Sequence, residues 1–145
     1  MPQRTVRMVV QDRKVISAPA GITVDEAARL MKKNNVGALM VVDATGRLAG
    51  IFTERDALFR VTAQRRDART TRIASVMTRN PTTIDPDKPF AHALFLMYEG
   101  GFRHVPVVED GRPLGMISAR DALGPEFRDF GAQLADRDHI GEILA

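Results

Sequence analysis

Two aspartates, Asp56 and Asp121, sit in near-identical settings: Gly50-Ile-Phe-Thr-Glu-Arg-Asp-Ala-Leu58 and Gly115-Met-Ile-Ser-Ala-Arg-Asp-Ala-Leu123. The offset between them is 65 residues (121 − 56), and a hydroxyl residue, Thr53 or Ser118, stands three positions before each. A carboxylate accepts two hydrogen bonds at once, which suits the vicinal hydroxyls of a sugar and repels phosphate. A hydroxyl beside the unpaired N–H groups of a helix start can hold a phosphate. Both residue types also have structural uses. An aspartate in a first helical turn is favoured by the dipole, and Thr or Ser caps the free amides. A self-repeat carrying the same polar triplet twice is the pattern of a duplicated site.

The repeat reaches well upstream of those residues. Val41-Val42-Asp43 answers Val107-Val108-Glu109, Met31 answers Met97, and the turn Asp43–Gly46 is one residue longer than Glu109–Gly111. In the first copy Thr23 and Glu26 form a capping-box pattern ahead of a helix over Val24–Asn34, with Ala27, Leu30 and Met31 on one face. A strand over Gly37–Val42 follows, then a second over Leu48–Phe52 and a short helix after Thr53. The second copy predicts a helix over Pro89–Glu99, strands over Arg103–Val108 and Leu114–Ile117, and Ser118 capping Ala119–Leu123. Extended lead-ins fall at Lys14–Ser17 and Thr82–Ile84. The unit is therefore β-α-β-β-α. Its continuous apolar strands imply small sheets covered on one face by helices and on the other by the sister repeat. After Gly124-Pro125 a further short helix is expected over Glu126–Leu134, with Phe127, Phe130 and Leu134 on one side, then a tail over His139–Ala145.

A chain of 145 residues with 44% hydrophobic and 27% charged residues suits one domain or two closely packed halves. No apolar run approaches the roughly 18 residues that cross a bilayer, and the N-terminus lacks an apolar export signal. Zero cysteines exclude disulfides and thiolate chemistry; a reducing cytoplasm fits. Six arginines (Arg60, Arg65, Arg66, Arg69, Arg72 and Arg79) face one acid, Asp67, between the repeats. Without interleaved aromatics they read as a solvated, positively charged linker rather than a nucleic-acid surface. His92, His104 and His139 have no metal-ligand spacing, and no phosphate-loop motif occurs. Catalysis is not expected, nor is a metal.

The pattern G-h-h-[ST]-x-x-D after a short turn and a P-V-V-[DE]-like strand, here Arg103-His-Val-Pro-Val-Val-Glu109, resembles the CBS domain, named after cystathionine β-synthase. Met77-Thr78 followed by Asn80-Pro-Thr-Thr-Ile84 resembles the usual entry to a second CBS repeat, and the tandem resembles a Bateman module. The resemblance implies an α+β fold of two pseudo-two-fold-related repeats, 1–68 and 69–124, with 125–145 as a helical extension. It implies a non-enzymatic sensor binding an adenosine-containing ligand between the repeats: AMP, ADP or ATP, with NAD and S-adenosylmethionine as further candidates. A homodimer signalling to an unidentified regulated protein is also implied. The alternatives are a ligand-free dimerisation scaffold and, less favoured, a nucleic-acid-binding protein.

Mapped onto this sequence, the resemblance gives Asp56 and Asp121 to the ribose and Thr53 and Ser118 to phosphate. Arg55 and Arg120 are phosphate contacts or solvated charges, and His104 beside Arg103 falls where a basic phosphate contact is frequent. Ile51 and Met116 flank an adenine ring or fill the core. Gly37, Ala38, Thr83 and Ile84 are candidates for backbone contacts to the base edge. One cleft is expected to join Asp121, Ser118 and Met116 to Val36–Ala38, and the other Asp56, Thr53 and Ile51 to Thr83, Ile84 and Arg103. Gly37-Ala38 stands where the second copy has Arg103-His104, so the two clefts are not expected to be equivalent.

Overall fold

The computed structural model describes residues 4–124 and 130–137. In order, its elements are α1 (Val6–Val10), β1 (Ser17–Pro19), α2 (Val24–Asn34), β2 (Ala38–Val42) and β3 (Leu48–Thr53). The short helix α3 (Glu54–Asp56) then widens into a π-helical turn, Ala57–Thr62, and a 3₁₀ turn, Ile73–Ser75, leads to β4 (Thr78–Arg79). The second half holds α4 (Phe90–Gly100), β5 (His104–Glu109), β6 (Arg112–Ser118) and a 3₁₀ turn, Ala119–Leu123. One sheet runs β1-β2-β3-β4; the other is the β5-β6 hairpin. The counterpart of β1 in the second half shrinks to a single parallel bridge, Ile84 to Val107. Among the described residues no helix is long and apolar enough to cross a membrane.

Local chemistry accounts for these elements. Thr23 caps α2 by accepting the Glu26 N–H at 3.2 Å, and Asn35 ends it in the left-handed region at φ 53°. Along β2, Leu39 and Val41 join Ala27 and Met31 of α2 and Phe52 of β3 in the first core. The alternate residues Ala38 and Met40 point to the opposite face and line a cleft. The second core repeats the arrangement with Val105, Val107 and Ile117 against Phe90, Ala93 and Met97. This is the period-two division of a sheet between a helical layer and a sister unit.

The segments that enter each repeat are exchanged between the two halves. Val6 and Val10 of α1, at the start of the first repeat, are buried in the second core. Ile73, Val76 and Met77, at the start of the second repeat, are buried in the first. Matching bridges, Thr5 to Pro89 and Thr23 to Arg72, tie both segments down. Thr5 and Arg72, Val6 and Ile73, and Val10 and Met77 are related by one offset, 67 positions. The expected division between 68 and 69 is thus crossed by packing in both directions.

The exchange explains the motif glycines. A Cβ on Gly50 would lie 2.8 Å from the Thr78 carbonyl oxygen of β4, and one on Gly115 would lie 2.8 Å from the Val10 Cβ of α1. Each glycine makes room for the segment sent from the other half. Sequence patterning misses α1, whose five residues are too few for a periodic signal. In the arginine-rich stretch the six arginines are exposed, as a solvated linker requires. Val61, Ile73, Val76 and Met77, however, are buried and anchor it to the first core, while Arg72 donates to the Gly21 carbonyl at 2.7 Å and Arg79 to that of Ala74 at 3.0 Å.

The two hairpin turns also meet. Arg112 Nη1 donates to the Thr45 carbonyl at 2.6 Å, and the Leu48 N–H donates to the Gly111 carbonyl at 2.9 Å. Of the expected C-terminal helix, residues 130–137 are helical and exposed. Phe127 and the tail over His139–Ala145 lie outside the described residues.

Candidate functional site

Thr53 ends β3 and starts α3, and it is locked to Asp56 reciprocally. The Thr53 N–H donates to Asp56 Oδ2 at 3.0 Å, and the Asp56 N–H donates to Thr53 Oγ1 at 3.1 Å. The other carboxylate oxygen, Oδ1, accepts from the Thr78 hydroxyl at 3.4 Å and lies 3.4 Å from Arg60 Nε. Arg60 reaches there from the wide π turn and is itself tethered to the carbonyls of Val76 and Met77 at 3.3 and 3.0 Å. At 6% exposure Asp56 is the one charged residue buried among the described residues. Such burial is tolerable because hydrogen bonds and one cation compensate it. Arg55 stacks over Phe59, 5.5 Å from the ring centroid, and donates to the Gly101 carbonyl of the second half at 3.4 Å.

Asp121 repeats the reciprocal lock but not the surroundings. The Ser118 N–H donates to its Oδ2 at 2.8 Å, with the Ser118 hydroxyl at 3.5 Å from the same oxygen. Arg13 then grips both oxygens, Nη1 to Oδ2 at 2.9 Å and Nη2 to Oδ1 at 2.5 Å, and Nη1 also donates to the Met116 carbonyl at 3.3 Å. Burial pushes the Asp121 carboxyl up, but the Arg13 fork and the Ser118 donors outweigh it and hold the group below the usual carboxylate range. The same pair raises the Arg13 guanidinium, through its hydrogen bonds to Asp121, against the lowering effect of burial.

Two clefts open between the halves. The first, of ≈ 1170 Å³, places Ile51, Thr53, Arg55 and Asp56 opposite Arg103 and His104. The second, of ≈ 900 Å³, gathers Gly37, Ala38, Met116, Ser118 and Arg120. Arg103 and His104, together with Glu54, border both. Burial is the main reason the His104 imidazole titrates below its ordinary value; Arg103 adds to this, while Glu54 and Asp121 oppose it. His104 is therefore neutral at pH 7, a hydrogen-bonding group rather than a charge, and Arg103 is the cation of that pair. Among the described residues no cluster of His, Cys, Asp and Glu could hold a metal.

Three expected positions fall elsewhere. Ile84 is buried in the second core; its N–H donates to the Pro106 carbonyl and its carbonyl accepts from the Val108 N–H, at 3.0 Å each. Thr83 is exposed and off the cleft wall, where Asn80, Pro81 and Thr82 stand instead. Asp121 does not reach the wall of the second cleft; Arg13 does. The reading of the sequence also passed over Glu54, Phe59, Arg60, Lys14 and Lys32. Of these only Arg60 carried a signal, lying four residues after Asp56, the spacing of a helical ion pair.

The family model described as CBS domain matches residues 6–63 and 73–124. The chain is 36% identical over 121 residues to the CBS domain-containing protein CBSCBSPB3 of Arabidopsis thaliana, covering 83% of this chain and 22% of that protein. It thus spans about a fifth of the length of the first curated relatives it matches. The fold is similar to the CBS domain pair of protein MJ0100 in complex with 5′-methylthioadenosine and S-adenosyl-L-methionine. There the TM-score is 0.76 at 32% identity, over 91% of this chain and 99% of that one. It is also similar to the CBS domain protein PAE2072 of Pyrobaculum aerophilum complexed with AMP. That match has TM-score 0.75 at 28% identity, over 81% of this chain and 89% of the other.

Proposed function

The chain belongs to the CBS domain family, with two copies in tandem, and from that premise we propose that it is a non-enzymatic regulatory module whose Asp56 cleft binds an adenosine-containing ligand. One observation carries the reading. A buried carboxyl group stands on the wall of a cleft large enough for a nucleotide, with Thr53 beside it and Arg55, Arg103 and His104 around it. Asp56 Oδ1 has only long contacts, both 3.4 Å, and so can accept from a ribose diol. Ile51, 5% exposed on the same wall, offers an apolar surface to a base. The neighbours with AMP and with S-adenosylmethionine share the adenosine portion, which supports this ligand class without selecting a member. The reading extends to a cytoplasmic homodimer that reports occupancy to a partner protein by favouring one tilt of the repeats over another.

Thermal denaturation against AMP, ADP, ATP, NAD, S-adenosylmethionine and 5′-methylthioadenosine tests it. A ligand at a hundred times its Kd stabilises the native state by about 2.7 kcal/mol, a rise of several degrees at this chain length. Asp56→Asn is expected to abolish the rise. No shift with any of the six, or an undiminished shift in Asp56→Asn, refutes the reading. The scaffold alternative then stands, favoured by Phe95 and Tyr98, which α4 leaves 57% and 86% exposed.

A further inference from the structure

Arg13 and Asn80 occupy equivalent places. Each lies three residues beyond the last core residue of an exchanged segment, Val10 or Met77, at the same 67-position offset that relates the segments. Asn80 lines the Asp56 cleft and Arg13 the Asp121 cleft. One repeat therefore has a neutral amide beside its site, and the other has a fixed cation. The cation is used: both terminal nitrogens of Arg13 hold both oxygens of Asp121, at 2.9 and 2.5 Å. Asp56, by contrast, meets Arg60 only through one nitrogen at 3.4 Å. The cleft walls record the difference. Asp56 itself lines the first cleft, whereas in the second the lining residue is Arg13 and not Asp121. Nor is Arg13 on a loose arm. It follows α1, whose Val6 and Val10 are 0% and 3% exposed in the second core, and it is braced on the Met116 carbonyl.

Resting on the assignment of the Asp56 cleft above, we propose that Arg13 is a built-in counter-ion that closes the second cleft to ribose. The chain then takes one adenosine ligand per copy, in the Asp56 cleft. A diol seeking Asp121 must first displace a bidentate, charge-assisted pair, the strongest type of side-chain hydrogen bond. Its own neutral hydroxyls restore less than they remove. The closed site is weakened by roughly tenfold to a hundredfold relative to an open one.

Isothermal titration of the full chain with AMP, and in parallel with ATP, tests this. The parent is expected to bind one equivalent, lost in Asp56→Asn. Arg13→Asn, which gives the second cleft the residue of the first, is expected to bind two equivalents, and the added site disappears when Asp121→Asn is combined with it. Arg13→Lys keeps the charge without the fork. It provides the test should Arg13→Asn fail to fold, with a second site expected of intermediate affinity. Two equivalents of similar affinity in the parent overturn the proposal, as do folded Arg13→Asn and Arg13→Lys proteins that still bind one. Absence of binding by every variant sinks the adenosine assignment and this proposal together. One parental site that Asp56→Asn removes and Arg13 substitutions do not supplement sinks this proposal alone.

Discussion

Gly115→Ala is the sharpest probe of how the exchanged segment is held. The added methyl would sit 2.8 Å from Val10 Cβ, 3.2 Å from its Cγ1 and 3.4 Å from its Cγ2. Carbon atoms do not approach to 2.8 Å without bond or backbone adjustment, and a Cβ fixed to a docked helix cannot swing aside as a lysine tip can. Either α1 or β6 must move. Overpacking of this kind costs about 1–3 kcal/mol, which for a chain of this size lowers Tm by roughly 3–12 °C. Val10→Ala alone deletes two buried methyl groups, at about 0.8 kcal/mol each plus a cavity contribution. In Gly115→Ala combined with Val10→Ala, the contacts at 3.2 and 3.4 Å vanish while the one at 2.8 Å persists. The double variant is therefore expected to fall short of the summed single effects by at least about 0.5 kcal/mol, the scale of coupling between touching residues. Urea denaturation of the four proteins measures this. A single variant within about 0.5 kcal/mol of the parent, or strict additivity, refutes the claim that Val10 is why position 115 has no side chain.

Two further outcomes follow from the cores and from His104. Because His104 titrates below its ordinary value of 6.5 in the fold, the unfolded chain takes up its proton first as the pH falls. The stability it contributes is full above the ordinary value and declines as the pH drops through the window below it. Tm is expected to fall between pH 7.5 and 5.5, and to fall less in His104→Gln; identical profiles refute the assignment. Phe52→Ala empties the centre of the first core, where Phe52 is 0% exposed. A loss of about 3–5 kcal/mol is expected; a midpoint shift worth under 1 kcal/mol in denaturant would contradict the core described.

The paired Gly…Thr/Ser…Asp motifs were legible because strand end, cap and first helical turn are local devices, each fixed by a few neighbouring residues. The α2 helix and the β2-β3 and β5-β6 hairpins follow from the same local patterning, within a residue or two at their ends. What could not be read were relations across the chain. Nothing local marks Arg13 as the partner of Asp121, 108 positions away, or Val10 as the neighbour of Gly115. Ile84 reads in the sequence as a backbone contact to a base edge, but the one bridge that replaces a full strand in the second sheet engages its amide and carbonyl. The arginine count between the repeats masked Ile73, Val76 and Met77, because composition weighs a window as a whole whereas burial selects single residues.

The interlacing of the two entry segments sets how the molecule comes apart. Neither half owns all the side chains that fill its interior, so fraying one strips the other of a helix or a strand. The tandem is consequently expected to melt in a single cooperative event, and a protease nick between the halves to release no self-sufficient fragment.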